Sequence, residues 1–270
     1  MSLRLVLRQA PTLRVDARRL QPQALAAVSA ADLRRMTLPH GRDEVELGEW
    51  FDVVEDGAGS LVLQLEGDLA RFDAIGAGLA DGTLVVRGDV GDAAGLGMAG
   101  GRLVVEGSAR DLTGCAMRGG AIEVKGSVRD LAASALPGEM DGMSGGTLIV
   151  RGAAGARLAD RMRRGTVAVF GAVGEFAASR LVAGTVALGG GCGAHAGWGM
   201  RRGSLVFAGA PPELGPTFVP VDADAAVFWQ LLARDLARLG PPFDTLARRP
   251  VVRHAGDLAV QGRGEVLIPG

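Results

Sequence analysis

Seven occurrences of one short phrase, Gly-Thr-Leu-Val-Val-Arg-Gly in its fullest form, leave this chain few ways to fold. They begin at Gly82, Gly101, Gly120, Gly146, Gly165, Gly184 and Gly203. Five of the six steps between them are 19 residues long; the step from Gly120 to Gly146 is 26, because seven extra residues sit near Leu136 to Gly142. A degraded occurrence, Val62 to Gly67, comes 21 residues before the first. Such a period marks a repeat architecture, in which each unit is too small to bury a core alone and must stack on its neighbours.

Aligned on the starting glycine, the second following position is Leu84, Leu103, Ile122, Leu148, Val167, Val186 or Leu205, and the fourth is Val86, Val105, Val124, Val150, Val169, Leu188 or Phe207. That alternation predicts a strand with one buried face. The sixth position is glycine every time, at Gly88, Gly107, Gly126, Gly152, Gly171, Gly190 and Gly209, which predicts a corner with positive φ that excludes most other residues. The sixteenth carries Met98, Met117, Met162, Leu181 or Met200, joined by Met143 once the insertion is removed. Flexible thioethers suit an irregular interior beside a corner. Leucine-rich repeats need an Asn/Cys ladder that is absent here, and left-handed hexapeptide helices advance in multiples of six. The expected fold is therefore all-β: a right-handed parallel β-helix of about 19 residues per coil and seven to eight coils, with a C-terminal helix and a short N-terminal extension.

Three parts are expected: the extension over 1–55, the β-helix over 56–210, and a C-terminal helix with closing strands over 211–270. In the first part Leu3, Leu5 and Leu7 alternate as in a strand covering a sheet edge, and short helices are predicted around Pro22 to Val28 and Ala31 to Met36, with Ser29 as N-cap. The segment Val45 to Val54, with Trp50 and Phe51, leads into the first coil. After Gly209 the period stops at Pro211, Pro212 and Pro216. Asp222 is expected to cap a helix from about Ala223 to Leu239 whose apolar face is Val227, Phe228, Leu231, Leu232 and Leu236. The stretches Gly256 to Val260 and Gly262 to Ile268 read as a hairpin or a closing strand. A net charge of −1 gives no whole-molecule field toward nucleic acid, and no apolar stretch is long enough for a membrane span. Two cysteines, Cys115 and Cys192, without a secretory signal, point to a reduced, cytoplasmic protein.

Candidate chemistry is sparse. Gly95-Leu96-Gly97-Met98-Ala99-Gly100 spells the dinucleotide fingerprint, but Arg102 to Val105 reads as a strand where the fingerprint needs a helix. Cys192 and His195 have the spacing of half a metal site without a second pair nearby, and Cys192 falls in a column of small core residues. Two charge columns say more. Asp92, Asp111, Asp130, Ala156 and Glu175 share one position, so like charges would stand roughly 5 Å apart on one edge and make it receptive to basic groups. Arg118, Arg163, Arg164, Arg201 and Arg202 gather near the methionine corner, either as solvated surface or as a site for a polycarboxylate or an acidic partner. The column Arg87, Glu106, Lys125, Arg151 mixes signs and reads as structural. A glycan-cleaving β-helix needs aromatic platforms and clustered carboxylates, and this chain has no tyrosine. No catalytic residue and no metal site is assigned.

Five segments carry a family resemblance: Ile75-Gly76-Ala77-Gly78, Gly88-Asp89-Val90-Gly91, Met117-Arg118-Gly119-Gly120, Gly142-Met143-Ser144-Gly145-Gly146 and Gly256-Asp257-Leu258-Ala259-Val260. From about Leu47 to Ile268 the chain resembles the C subunit of formylmethanofuran dehydrogenase and that of its bacterial counterpart, the formyltransferase/hydrolase complex of aerobic methylotrophs. The C-terminal domain of the large glutamate synthase subunit shares this type of β-helix, so a glutamate-synthase-type spacer is an alternative. The resemblance implies a structural subunit with no cofactor of its own, packed among an amidohydrolase-like A subunit, a B subunit, plus a formyltransferase D subunit. Those partners move a formyl group from formyl-tetrahydromethanopterin to a methanofuran-type carrier and release formate. It also implies that a molybdenum or tungsten pterin, in the archaeal enzyme, belongs to the B subunit. A composition rich in Arg and Ala with one lysine, Lys125, favours the bacterial complex. On this resemblance, Arg118, Arg163, Arg164, Arg201 and Arg202 are candidates to hold the carrier's polyglutamate tail.

Overall fold

The computed structural model describes residues 2–55, 61–221 and 226–270. The N-terminal segment gives β1 (Ser2–Leu7), β2 (Val15–Asp16), helices α1 (Pro22–Leu25) and α2 (Ala30–Arg35), the hairpin β3 (Thr37–His40) and β4 (Asp43–Glu46), helix α3 (Leu47–Trp50) and β5 (Phe51–Glu55). Ser29 caps α2 as its sequence position predicts, its side chain accepting from the backbone N–H of Asp32. The degraded occurrence of the repeat gives β6 (Val62–Glu66), followed by the two-residue β7 (Phe72–Asp73). The seven full occurrences give β8 (Thr83–Arg87), β9 (Arg102–Val105), β10 (Ala121–Val124), β11 (Thr147–Val150), β12 (Thr166–Val169), β13 (Thr185–Leu188) and β14 (Ser204–Phe207). After them come β15 (Val219–Pro220), α4 (Ala226–Ala237), β16 (Val251–Gly256) and β17 (Gly264–Pro269). The predicted boundary at residue 56, the cap Asp222 and the helix start at Ala223 lie outside the described residues.

The molecule is mostly β, built on a 13-stranded, largely parallel sheet ordered β15-β16-β17-β14-β13-β12-β11-β10-β9-β8-β6-β1-β5. Register follows the repeat: Leu84 pairs with Leu103, Leu103 with Ile122, Ile122 with Leu148, and so on to Leu205 with Val266. The 26-residue step is absorbed outside the sheet, since Ile122 and Leu148 stay in register across the insertion. These side chains and those of the Val86 column are at most 1% exposed, so two apolar files, aliphatic but for Phe207, run unbroken through the interior. The strand β1 extends both, pairing Leu3 with Leu63 and Leu5 with Leu65. Met98, Met117, Met143, Met162, Leu181 and Met200 are fully buried and line a third file. At each end the parallel sheet closes on an antiparallel partner, β5 on β1 and β16 on β17.

The glycine columns exchange the roles that periodicity suggests. Positive φ belongs to the starting glycines, from 63° at Gly101 to 108° at Gly165. Of Gly88, Gly107, Gly126, Gly152, Gly171 and Gly190, only Gly88 has it, at 155°. Glycine is needed in that column because successive units lie too close for a Cβ, which at Gly88 would sit 1.9 Å from the carbonyl oxygen of Gly67.

The aspartate column also has a different physical basis from mutual repulsion. Each carboxylate accepts the backbone N–H of its equivalent one unit on: Asp73 from Asp92 (2.8 Å), Asp92 from Asp111 (3.3 Å), Asp111 from Asp130 (3.0 Å) and Asp130 from Ala156 (2.8 Å). Basic groups meet this edge at one end, where Arg14 pairs with Asp73 and Asp92, and Arg110 with Asp92. A second ladder runs from Asp89 through Ser108 and Ser127 to Ala153. The mixed-sign column forms cross-strand pairs such as Arg87 with Glu66 and Lys125 with Glu106, both at 2.9 Å.

On the outer face, small residues at Ala168 and Ala187 admit α4, which buries Trp229, Ala233 and Leu236 with Phe243 and Leu246 against β12, β13 and β14. The predicted apolar face is therefore rotated in part: Leu236 is buried and Leu232 packs against the same cluster, as expected. Val227, Phe228 and Leu231 are exposed, whereas Trp229, with its indole N–H donating to the carbonyl of Arg249, is the anchor.

Candidate functional site

Between the starting glycine of one unit and that of the next, the chain turns through alternating left-handed residues. The fifteenth position of this turn is Gly97, Ala116 and Gly199 in three units but Arg161 and Arg180 in two others, with φ of 58° and 52°. Holding a long side chain in that conformation costs roughly 1–2 kcal/mol relative to glycine. Both arginines line one cleft of about 330 Å³, together with Arg163, Arg201, Met140, Val182, Trp198 and Val260.

Asp160, 5% exposed, fixes Arg180: Nε donates to Oδ1 at 2.9 Å, Nη2 donates to Oδ2, and Ser179 Oγ donates to Oδ1 at 2.7 Å. A buried carboxylate held this way sets the guanidinium's orientation before anything arrives. Asp141 pairs with Arg163, and Arg161 Nη1 lies 2.9 Å from Met140 Sδ. Arg161 and Arg201 have no carboxylate partner among the described residues. Four guanidiniums against three carboxylates, those of Asp160, Asp141 and Asp257, leave the cleft cationic, and Trp198, 51% exposed, gives it an aromatic wall.

Asp257 supports the floor. It is 3% exposed, and its Oδ2 accepts the N–H of Gly199 while Oδ1 accepts that of Ala259, each at 2.9 Å. Burial alone would raise its pKa, but hydrogen bonds from Thr217, Gly199 and Ala259 outweigh burial and hold it below the usual carboxylate value. The segment Gly256 to Val260 is thereby clamped to the last unit, with Asp257 N–H donating to the carbonyl of Met200 (3.1 Å).

Of the five arginines expected from sequence, the cleft gathers Arg163 and Arg201. Arg118, Arg164 and Arg202 are exposed and do not line it. Arg161 and Arg180 are additions that sequence reasoning missed. Their signal is two arginines in a column of glycine and alanine, 19 residues apart.

The remaining candidates have structural surroundings. Cys115 is buried with Sγ 3.2 Å from Ser134 Oγ, and burial pushes its thiol up to about 11 despite that hydrogen bond. Burial likewise pushes Cys192 up to about 11. His195 stacks on Phe176 at 4.7 Å, and the Arg157 guanidinium lies over the same Phe176 ring at 5.0 Å. The G-x-G-x-x-G stretch leads into β9, not into a helix. Among the described residues no group of three His, Cys, Asp or Glu is placed to hold a metal ion, and no helix is long and apolar enough to cross a membrane.

No protein-family model matches the chain. Over 78 residues it is 43% identical to the C subunit of the formyltransferase/hydrolase complex Fhc of Methylorubrum extorquens, a stretch covering 29% of each chain. Over 77 residues it is 29% identical to the C subunit of molybdenum-containing formylmethanofuran dehydrogenase 1 of Methanothermobacter thermautotrophicus, covering 28% of this chain and 19% of the relative. These alignments span under a third of the curated relatives' length. The whole fold matches a chain of the X-ray crystal structure of the formyltransferase/hydrolase complex FhcABCD from Methylorubrum extorquens in complex with methylofuran, with a TM-score of 0.92, 40% identity and 99% of both chains covered.

Proposed function

The chain belongs to the C-subunit family of formyltransferase/hydrolase complexes, and from that premise we propose that it is a structural component, without catalytic residues of its own, of a complex that moves formyl groups to a methanofuran-type carrier and releases formate. The carrying observation is the likeness along the full length of the fold to a chain of a four-subunit complex. Its partners are an amidohydrolase-like A subunit, a B subunit, plus a formyltransferase D subunit, with tetrahydromethanopterin as the formyl donor's scaffold. The assembly is cytoplasmic, in keeping with two unpaired cysteines. A molybdenum- or tungsten-containing dehydrogenase is the second reading, favoured by its own C-subunit relatives at 29% and 31% identity but placed behind by the 43% of the methylotroph relative.

The physical basis of the role is rigidity. The stacked units form a right-handed parallel β-helix of seven to eight coils, and in-register files, N–H ladders and close glycine contacts leave little freedom between them. Such a body can hold catalytic subunits at a fixed separation while a tethered carrier moves between them. The arginines Arg118, Arg163, Arg164, Arg201 and Arg202, together with Arg161 and Arg180, hold the carrier's carboxylate-bearing tail. Charge reversal of Arg118, Arg163 and Arg201 should raise the carrier's KM in the assembled complex without changing assembly. An unchanged KM rejects the assignment.

A further inference from the structure

The insertion is the one interruption of the 19-residue period after Gly82, and it lies over the arginine cleft. Its backbone and the residue before it are tied to the turn that carries those arginines: Gly142 N–H donates to the carbonyl of Arg161 (3.0 Å), and Ala135 N–H, just ahead of the insertion, to that of Asp160 (3.1 Å). Its side chains then reach the cleft's cations. Met140, 67% exposed, lies against Arg161, and Asp141 pairs with Arg163. A carboxylate ligand entering the cleft would seek the same guanidiniums that Asp141 and Met140 engage.

We propose that Asp141 and Met140 form a displaceable strap that sets the valence the cleft accepts. The inference rests on the reading of the cleft as a site for a carboxylate-bearing chain. A free monocarboxylate competes poorly with a carboxylate tethered beside its target, whose effective concentration is of millimolar order. An oligocarboxylate gains from every further guanidinium it reaches, so Arg161 and Arg201, which lack carboxylate partners among the described residues, let it win where a single group loses. The strap's hold is light: the Arg163 and Asp141 side chains are 48% and 59% exposed, as suits a contact made to be exchanged. Asp160 plays the opposite part, because it is buried and keeps Arg180 in place whether or not the strap has moved.

The test is calorimetric titration of the full chain with hexaglutamate and with glutamate at low ionic strength. Asp141→Asn should tighten hexaglutamate binding about two- to fivefold, the scale of one exposed ion pair. In an Arg163→Gln background the same substitution should change nothing, which separates exchange at one guanidinium from a general loss of negative charge. Glutamate should bind Asp141→Asn more tightly than wild type, narrowing the preference for the longer anion. Equal hexaglutamate affinity in wild type and Asp141→Asn overturns the strap and leaves the anion site standing, as does an undiminished gain in the Arg163→Gln background. Failure of hexaglutamate to bind wild type, Asp141→Asn and Arg163→Gln overturns both.

Discussion

The units that start at Gly82, Gly101 and Gly120 and those that start at Gly146 and Gly165 share the same aliphatic files but use their turns differently. In the first group Asp92, Asp111 and Asp130 accept backbone N–H groups from the next unit, and the fifteenth position holds Gly97, Ala116 or Ala135. In the second group the aspartate column ends at Ala156 and Glu175, and the fifteenth position holds Arg161 and Arg180 in a left-handed conformation. One half therefore uses its turns to hold itself together. The other lacks those side-chain ladder bonds and places guanidiniums at left-handed positions where the first half, with Ala116 at φ 52°, has only small residues, an arrangement in keeping with the proposed anion site.

The largest expected effect tests what the halves have in common. Leu103→Ala and Leu205→Ala each remove a fully buried side chain from the same file, and each should cost about 2–5 kcal/mol in denaturant unfolding. A large loss at Leu103 with almost none at Leu205 would show that the file is not continuous. The ladder gives the next contrast. Asp111→Ala leaves the N–H of Asp130 without its acceptor and should cost about 1–3 kcal/mol, whereas Glu175→Ala in the same column should stay within about 0.5 kcal/mol. Equal losses would erase the difference between the halves.

Strain supplies a third and opposite effect. Arg161→Gly should raise stability by about 1 kcal/mol in the same assay, because glycine tolerates the left-handed backbone, while weakening hexaglutamate binding. Destabilisation would mean that the arginine is held by packing and serves the fold. The last effect is confined to alkaline pH. Cys115 and Cys192 have folded-state pKa values raised from 9.0 to about 11, so the unfolded chain loses those protons first as pH rises. Their contribution to stability is complete below pH 9 and lost between about pH 9 and 11. Cys115→Ala, Cys192→Ala double substitution should flatten that part of the stability profile, and iodoacetamide should leave both thiols unmodified at pH 8.

Strand positions and their pairing were legible because hydrophobic alternation and a fixed period report the same files twice. The two glycine columns were not distinguishable from each other, since a left-handed backbone and a close approach to a neighbouring carbonyl both demand glycine. The acceptor role of Asp111 was hidden for a related reason: its partner is a backbone N–H one unit away, and main-chain groups leave no mark in sequence. Arg161 and Arg180 escaped because a position filled elsewhere by glycine and alanine looks like a turn with nothing to present. The face of α4 was misplaced because Val227, Phe228 and Leu231 outweigh Trp229 and Ala233 in hydrophobicity, yet only the latter fit over the small residues Ala168 and Ala187.

A structural subunit is defined by what it holds, so the decisive measurement is affinity purification of the tagged, full-length chain from its native cells, with co-purifying proteins identified by mass spectrometry. The expected result is recovery of an amidohydrolase-like protein and a formyltransferase in constant ratio to the chain. Recovery of the chain alone, or of glutamate synthase components in their place, would contradict it.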